Sequence, residues 1–130
     1  MKKLFTTTFL AMLAIIVIVI SCKKEKSKPF ESPPIVTTTS VSSITPTSAT
    51  SGGNVTSDGG ASVTARGVCW STSPYPTTAD SKTTNGTSTG TYTSSITGLS
   101  ANTIYFVRAY ATNTKGTAYG NQVVFRSSIP

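Results

Sequence analysis

From Pro34 to the last residue, the sequence lacks the apolar spacing of three and four residues that an amphipathic helix needs. It contains instead short alternating stretches rich in Val, Ile, Thr, Tyr and Phe, separated by turn-forming Gly, Pro, Asn and Asp. Alternation with a period of two places successive side chains on opposite faces of a strand, so that one face can be buried. This residue pattern excludes a helical domain and predicts an all-β fold.

Seven short strands are predicted in residues 34–130, and nothing in this segment repeats internally. About seven short strands in roughly 100 residues are typical of one antiparallel β-sandwich. The predicted strands are Ile35–Thr39, Ala49–Thr56, Val63–Ser71, Ser81–Thr84, Thr89–Thr97, Thr103–Asn113 and Tyr119–Arg126.

The segment ITGLSANTIYFVRAYATNTKG (Ile96–Gly116) resembles the corner and following strand of fibronectin type III domains. The family pattern is Gly-Leu, then Thr-x-Tyr, then an alternating strand that ends in Ala-x-Asn-x-x-Gly. The residues that carry it here are Gly98, Leu99, Thr103, Tyr105, Arg108, Ala111, Asn113 and Gly116. The resemblance implies a tyrosine corner, in which the Tyr105 hydroxyl bonds a backbone group a few residues upstream.

Strand alternation sends Val107, Ala109 and Ala111 inward with Tyr105. An immunoglobulin domain would carry a disulfide-bonded Cys two residues after the corner Tyr, but Val107 stands there. The resemblance therefore implies a seven-stranded fibronectin type III-like sandwich without a disulfide.

Trp70 is the only tryptophan of the chain and lies in a predicted strand. Type III domains usually carry a Trp on their second strand, where this chain has Ser51, Gly52 and Gly53. We expect Trp70 to fill the core opposite these glycines. The stretches SGGNVTSDGG, RGVCWSTSP and VRAYATNTKGTAYGNQV also resemble fibronectin-like modules of envelope proteins in Bacteroidota.

The N-terminal segment has a positive start, Met1–Lys3, and a charge-free apolar run, Phe9–Ile20. A helix that spans a bilayer needs about 20 apolar residues, whereas a run of about 10–14 suits the core of a signal peptide. The run ends in VISC (Val19–Cys22), which resembles the lipobox of bacterial lipoproteins. The resemblance implies that a diacylglycerol is attached to Cys22 and that residues 1–21 are removed.

Two alternatives stay open for this leader. Counting from Leu4 through the threonines extends the apolar segment toward a single membrane span, and an ordinary secretory leader could be followed by an incidental Cys22. With a lipid on Cys22, residues 22–33 form a charged, flexible tether, and the protein is expected at the cell envelope, most simply the outer membrane.

The composition argues against catalysis and nucleic-acid binding. The chain has no His, and Asp58 and Asp80 are the only carboxylates in residues 34–130. General acid–base chemistry needs positioned titratable groups, so we predict no enzyme, no metal and no cofactor. The formal charge of +7 is concentrated toward the N-terminus, and the few scattered cations of the domain do not form a nucleic-acid surface.

The candidate contact surface consists of exposed aromatic and basic residues. Tyr75 lies between two prolines on a predicted loop, and Phe106, Arg108 and Tyr110 share the outer face of one strand with Ile104. The preference of prolines for turns explains the position of Tyr75 equally well. Cross-strand pairing on a solvated sheet equally explains the outer-face residues of the strand. Cys69 is expected to be a small, half-buried hydrophobe that faces away from Trp70.

The sequence therefore predicts a non-catalytic envelope lipoprotein that presents one fibronectin-like module for binding, adhesion or spacing. Its expected partners are the membrane, through the lipid, and a protein or glycan ligand. The alternative is an accessory subunit that docks onto a larger envelope complex and has no external ligand.

Overall fold

Residues 27–130 are described by a computed structural model. The predicted leader (residues 1–21) and the predicted lipid site at Cys22 lie outside the described residues. Within the described range there is no helix that could cross a membrane. The strands are β1 (Ile35–Thr38), β2 (Ala49–Ser57), β3 (Ala65–Ser71), β4 (Ser81–Lys82), β5 (Gly90–Ile96), β6 (Ile104–Asn113), β7 (Gly116–Tyr119) and β8 (Val123–Arg126).

The strands form two antiparallel sheets. The first has the order β1-β2-β5, and the second has the order β4-β3-β6-β7, with β8 also paired to β6. The single cysteine of the described range, Cys69, is free. The predicted disulfide-free, antiparallel β-sandwich is confirmed.

The predicted last strand, Tyr119–Arg126, is divided, so the structure has eight strands rather than seven. β7 pairs with the C-terminal half of β6, and β8 pairs with its N-terminal half. Between them, Thr38 approaches β6, where its hydroxyl accepts a bond from the Ala109 N–H at 2.9 Å. A Cβ on Gly120 would lie 2.6 Å from that same hydroxyl oxygen. The contact with β1 therefore interrupts the pairing, and sequence alternation alone does not reveal it.

The core lies between the two sheets and contains the predicted inner face of β6. Tyr105, Val107, Ala109 and Ala111 are all buried. They pack with residues from both sheets in one cluster, whose other members are Val36, Ala49, Val55, Val63, Val68, Trp70, Ile96, Leu99 and Phe125. The predicted inward direction of these four side chains is confirmed.

The end of the predicted tether contacts the sandwich. The Ser32 N–H donates to the Gly59 carbonyl at 2.9 Å, and Glu31 forms an ion pair with Lys115 at 3.6 Å. Asn113 donates its amide N–H to the Ser32 carbonyl at 2.7 Å. The folded unit therefore begins near Glu31, a few residues before the boundary predicted at Pro34.

Candidate functional site

The loop of residues 72–80, between β3 and β4, folds back over the outer face of the second sheet. Pro76 is fully buried there, and its carbonyl oxygen accepts bonds from Arg108 Nε at 2.9 Å and Nη2 at 2.7 Å. The Thr78 N–H donates to the Tyr119 hydroxyl at 3.0 Å. The loop is therefore a fixed cover on the sheet.

Tyr75 stands at the turn of this loop, with 67 % of its surface exposed. Its φ is 56°, a left-handed conformation that is uncommon for a residue other than Gly, Asn or Asp. Its N–H donates to the side-chain oxygen of Gln122 in the connection between β7 and β8. Neighbouring proline rings and these bonds hold the backbone that carries the ring.

Arg108 connects this loop to the sheet. Its guanidinium carbon lies 4.1 Å from the ring centre of Tyr119 and 5.8 Å from that of Tyr75. We call Tyr75, Arg108 and Tyr119 the aromatic–arginine cluster. The structure brings together two of the residues singled out in the sequence, Tyr75 and Arg108.

Sequence reasoning missed Tyr119 and Gln122. The register of β6 with β7 pairs Tyr119 with Tyr110 and places it on the outer face beside Arg108. Alternation along β7 was the available signal, but it identifies the face only once the pairing partner is known.

Tyr110 does not belong to an exposed contact surface, so this part of the prediction is wrong. Only 2 % of Tyr110 is exposed, and its hydroxyl donates to the Thr83 carbonyl at 2.5 Å. The chain that follows β4 covers this end of the outer face. A strand side chain that points away from the core is buried here by a third layer of backbone.

Two other residues on the predicted outer face of β6, Ile104 and Phe106, form a separate apolar strip with Val124. Phe106 is half-buried and pairs directly with Val124, which is 54 % exposed. Ile104, on the same face, is 42 % exposed. The strip is thus made of Ile104, Phe106 and Val124, at the end of the sheet that the loop leaves uncovered.

Cys69 is fully buried beneath the loop. Its thiol donates to the carbonyls of Pro76 and Arg108, each at 3.4 Å. Burial raises the pKa of the Cys69 thiol to about 11, and the nearby Arg108 only partly opposes this effect. Because the thiolate is the reactive form, Cys69 is a structural residue at neutral pH.

Trp70 lies in the core, with 8 % of its surface exposed, but it does not fill the space above the glycines. Gly53 pairs with Tyr92 on β5, and a Cβ on Gly53 would lie 2.6 Å from the Tyr92 hydroxyl oxygen and 2.8 Å from the Ala109 Cβ. The expectation for Trp70 opposite Gly52 and Gly53 is therefore wrong. Tyr92 takes this space because its ring leans across β2 toward the second sheet.

Tyr92 ties the two sheets together. Its hydroxyl donates to the Gly67 carbonyl at 2.6 Å, and the Arg66 guanidinium carbon lies 4.8 Å from its ring centre. Burial raises the pKa of Tyr92, and Arg66 partly opposes the rise. Arg66 also donates to the carbonyls of Asn85 at 2.7 Å and Ser88 at 2.6 Å. This edge of the sandwich is therefore closed by side chains.

The residues assigned to the tyrosine corner lie together at the connection between β5 and β6. The Tyr105 hydroxyl accepts a bond from the Ser100 N–H at 2.8 Å, and the Tyr105 ring stacks on Phe125 with centroids 5.8 Å apart. Leu99 is 5 % exposed, and its N–H donates to the Thr47 carbonyl at 3.0 Å. This geometry locks the crossover between the sheets.

Among residues 27–130 no three His, Cys, Asp or Glu side chains lie close enough together to hold a metal ion. The aromatic–arginine cluster, with Gln122 beside it, presents aromatic, guanidinium and amide groups. These groups can stack and donate hydrogen bonds.

No protein-family model and no curated protein matches this chain. Among solved structures, the chain is similar to the sensor domain of the anti-sigma factor RsgI4 of Pseudobacteroides cellulosolvens. The TM-score is 0.55 at 18 % identity, over 76 % of this chain and 98 % of that one. A crystal structure of titin domains matches with a TM-score of 0.50 at 22 % identity, over 76 % of this chain and 32 % of the titin chain.

This chain thus spans about a third of the titin fragment that it matches. Identities this low bear on the fold alone. Together with the two antiparallel sheets, they identify the described part of the chain as a β-sandwich of the fibronectin type III and immunoglobulin-like class.

Proposed function

We propose that the protein is a cell-envelope lipoprotein, anchored by a lipid on Cys22, which presents its sandwich as a non-catalytic recognition module. The leader pattern that ends in Val19–Cys22 supports the anchor. Two acyl chains hold a protein stably at a bilayer, whereas one chain holds only marginally, so a diacylglycerol suits this role.

The observation that carries the recognition role is the presentation of Tyr75. A large aromatic side chain is 67 % exposed on a left-handed backbone that the rest of the domain holds in place. Strained positions that persist because their surroundings fix them occur often at functional sites. With two thirds of its surface in water, Tyr75 adds little buried apolar area to the fold.

The orientation that the sandwich would have relative to the membrane supports the same proposal. Residues 31–33 pack against the turn at Asp58–Gly59 and the hairpin between β6 and β7. With the anchor at Cys22, this end is directed toward the membrane. Arg108 lies five residues along β6 from Asn113, or about 17 Å at the usual rise of a strand. The cluster is therefore presented on the side of the module, away from the membrane-facing end.

An accessory subunit remains the second candidate, and the apolar strip of Ile104, Phe106 and Val124 favours it. Exposed apolar side chains that adjoin one another on a sheet are a common feature of protein contact surfaces. A stoichiometric protein partner, recovered after detergent extraction and lost on Val124→Asp, would support this function.

The anchor is tested by intact-mass measurement of the full-length protein extracted from membranes. We expect a chain that starts at Cys22 and carries acyl mass, and we expect Cys22→Ala to retain its leader and lose the acyl mass. Cys69→Ala is the matched control and should be acylated normally. A wild-type protein with its leader attached and no acyl mass would contradict the proposal.

Protease treatment of intact cells then tests the orientation. Degradation of the module on intact cells would support surface presentation, whereas degradation only after the outer membrane is opened would show a periplasm-facing module.

A further inference from the structure

We propose that the aromatic–arginine cluster is a carbohydrate-binding site, in which the exposed face of the Tyr75 ring stacks on one sugar ring of a glycan chain. The inference rests on the proposed recognition role and names its ligand class. It follows from three features of the cluster and its surroundings: an exposed aromatic ring, a rigid support and a polar rim.

Most of the surface of Tyr75 is open to solvent. The guanidinium carbon of Arg108 lies 5.8 Å from the ring centre, and 67 % of the residue is exposed. A flat, amphipathic ring with an apolar face and a polar hydroxyl matches a pyranose, whose ring carbons present C–H groups on one face and hydroxyls at the rim. An exposed platform suits a chain of sugars that passes over the surface.

The support beneath the ring is rigid before any ligand arrives. The Pro76 carbonyl accepts two bonds from Arg108, at 2.9 and 2.7 Å, and Arg108 is itself stacked 4.1 Å from the centre of Tyr119. The Tyr75 N–H is bonded to Gln122. A ring that is already held in its binding position loses little conformational entropy when it binds, which favours affinity for a weakly binding ligand such as a sugar.

The rim of the platform is polar. Gln122 uses its side-chain oxygen for Tyr75, and its NH₂ group has no partner among residues 27–130. Ser71, Thr72 and Ser73 precede the turn and carry hydroxyls. Asp80, the one carboxylate of the loop, accepts a bond from the Thr77 N–H at 2.8 Å. Amide and hydroxyl groups at the edge of an aromatic ring can bond the hydroxyls of a sugar.

A nucleic acid fits the cluster less well, although bases also stack on tyrosine. Binding a phosphate backbone needs several cations along its path. Arg108 is the one cation of the cluster, and two of its nitrogens are already bonded to Pro76.

The test is a glycan array of neutral and acidic polysaccharide fragments, probed with the full-length protein in detergent. Tyr75→Asn is the decisive variant, because Asn tolerates the left-handed backbone and removes the ring. We expect it to weaken binding about tenfold or more, as truncation of a central aromatic contact does. Tyr75→Phe should stay within about threefold of the wild type because it keeps the ring.

Val124→Thr, on the apolar strip, is the control and should bind like the wild type. Melting temperatures of the three variants show whether each domain is folded. No glycan binding above the detergent background, equal binding by Tyr75→Asn, or binding only to single-stranded oligonucleotides or peptides would each overturn the inference. A protein that is acylated on Cys22 and binds no glycan would refute the site and leave the anchor intact.

Discussion

Tyr105 and Tyr75 show how one residue type serves two purposes in this domain. Tyr105 is 8 % exposed, and its hydroxyl accepts a backbone bond at the crossover between the sheets. Tyr75 is 67 % exposed, and its ring centre lies 5.8 Å from the guanidinium carbon of Arg108. The difference lies in the surroundings, because the same phenol is a core anchor at one position and a surface platform at the other.

Removal of the Tyr105 hydroxyl tests its structural role. We expect Tyr105→Phe to lower the free energy of unfolding by about 1 kcal/mol, because the Ser100 N–H loses its partner at 2.8 Å. Urea denaturation measures this loss. Tyr75→Phe removes an exposed hydroxyl from the same kind of ring and should change stability by no more than about 0.5 kcal/mol. Equal effects of the two changes would argue against a locked corner.

The raised pKa values of the buried Cys69 and the half-buried Tyr92 predict a loss of stability at high pH. The pKa of Cys69 is about 11 in the folded protein against an ordinary 9.0, so the unfolded chain releases this proton first. Below pH 9 both states keep the proton and the effect is absent. From pH 9 to about 11 the unfolded state is increasingly favoured, by about 2 kcal/mol in total. The raised pKa of Tyr92 extends the decline above about pH 10.

Urea denaturation under reducing conditions at pH 8, 9, 10 and 11 measures this decline. Cys69→Ala should lower stability at pH 8 and flatten the fall between pH 9 and 10. Parallel profiles for the wild type and Cys69→Ala would show that the thiol does not contribute.

At the scale of elements, β6 is the strand that organises the domain. It pairs with β3, β7 and β8, and its C-terminal residue, Asn113, holds three other segments. The Asn113 side chain donates to the carbonyls of Ser32 and Asp58, each at 2.7 Å, and accepts from the Lys115 N–H at 2.8 Å. One buried amide thus fixes the N-terminal segment, a loop and a hairpin relative to one another.

Substitution of this amide tests the connection. We expect Asn113→Ala to destabilise the domain by about 2 kcal/mol, because Asn113 is 4 % exposed and three backbone groups lose their partner. Amide hydrogen exchange should speed up at Ser32 and Lys115. Asn54→Ala, a half-buried strand position, is the control and should leave these two amides protected. Unchanged exchange in Asn113→Ala would contradict the proposed role.

At the scale of the whole molecule, one cysteine lies in the folded domain and the other is the site of the proposed anchor. Cys69 is buried under the loop of residues 72–80, whereas Cys22 precedes the folded unit. The Cys69 thiol is therefore free but shielded in the folded domain, whereas the proposed lipidation leaves no free thiol at Cys22.

A thiol count tests this difference. We expect no reaction of the native, membrane-extracted protein with Ellman's reagent at pH 8, and one reactive thiol per chain in denaturant. Cys69→Ala should show none in either condition. Two thiols per wild-type chain in denaturant would mean that Cys22 is not acylated.

The sequence by itself determined the fold class, because the alternation of apolar and polar residues with a period of two is a property of the residue order alone. The alternation along β6, from Tyr105 to Ala111, assigned four core side chains correctly. The core residues of β6 and the tyrosine corner could be predicted because both patterns depend only on residues close together in the sequence.

The tertiary structure decided whatever depends on segments distant along the chain. The chain that follows β4 buried Tyr110, the approach of Thr38 divided the last strand, and the register of β5 placed Tyr92 over Gly53. It also brought Tyr75 and Tyr119, which are more than forty residues apart, to the same arginine, Arg108. Periodicity assigns a side chain to a face, but the pairing of distant strands and the path of the loops decide what covers that face.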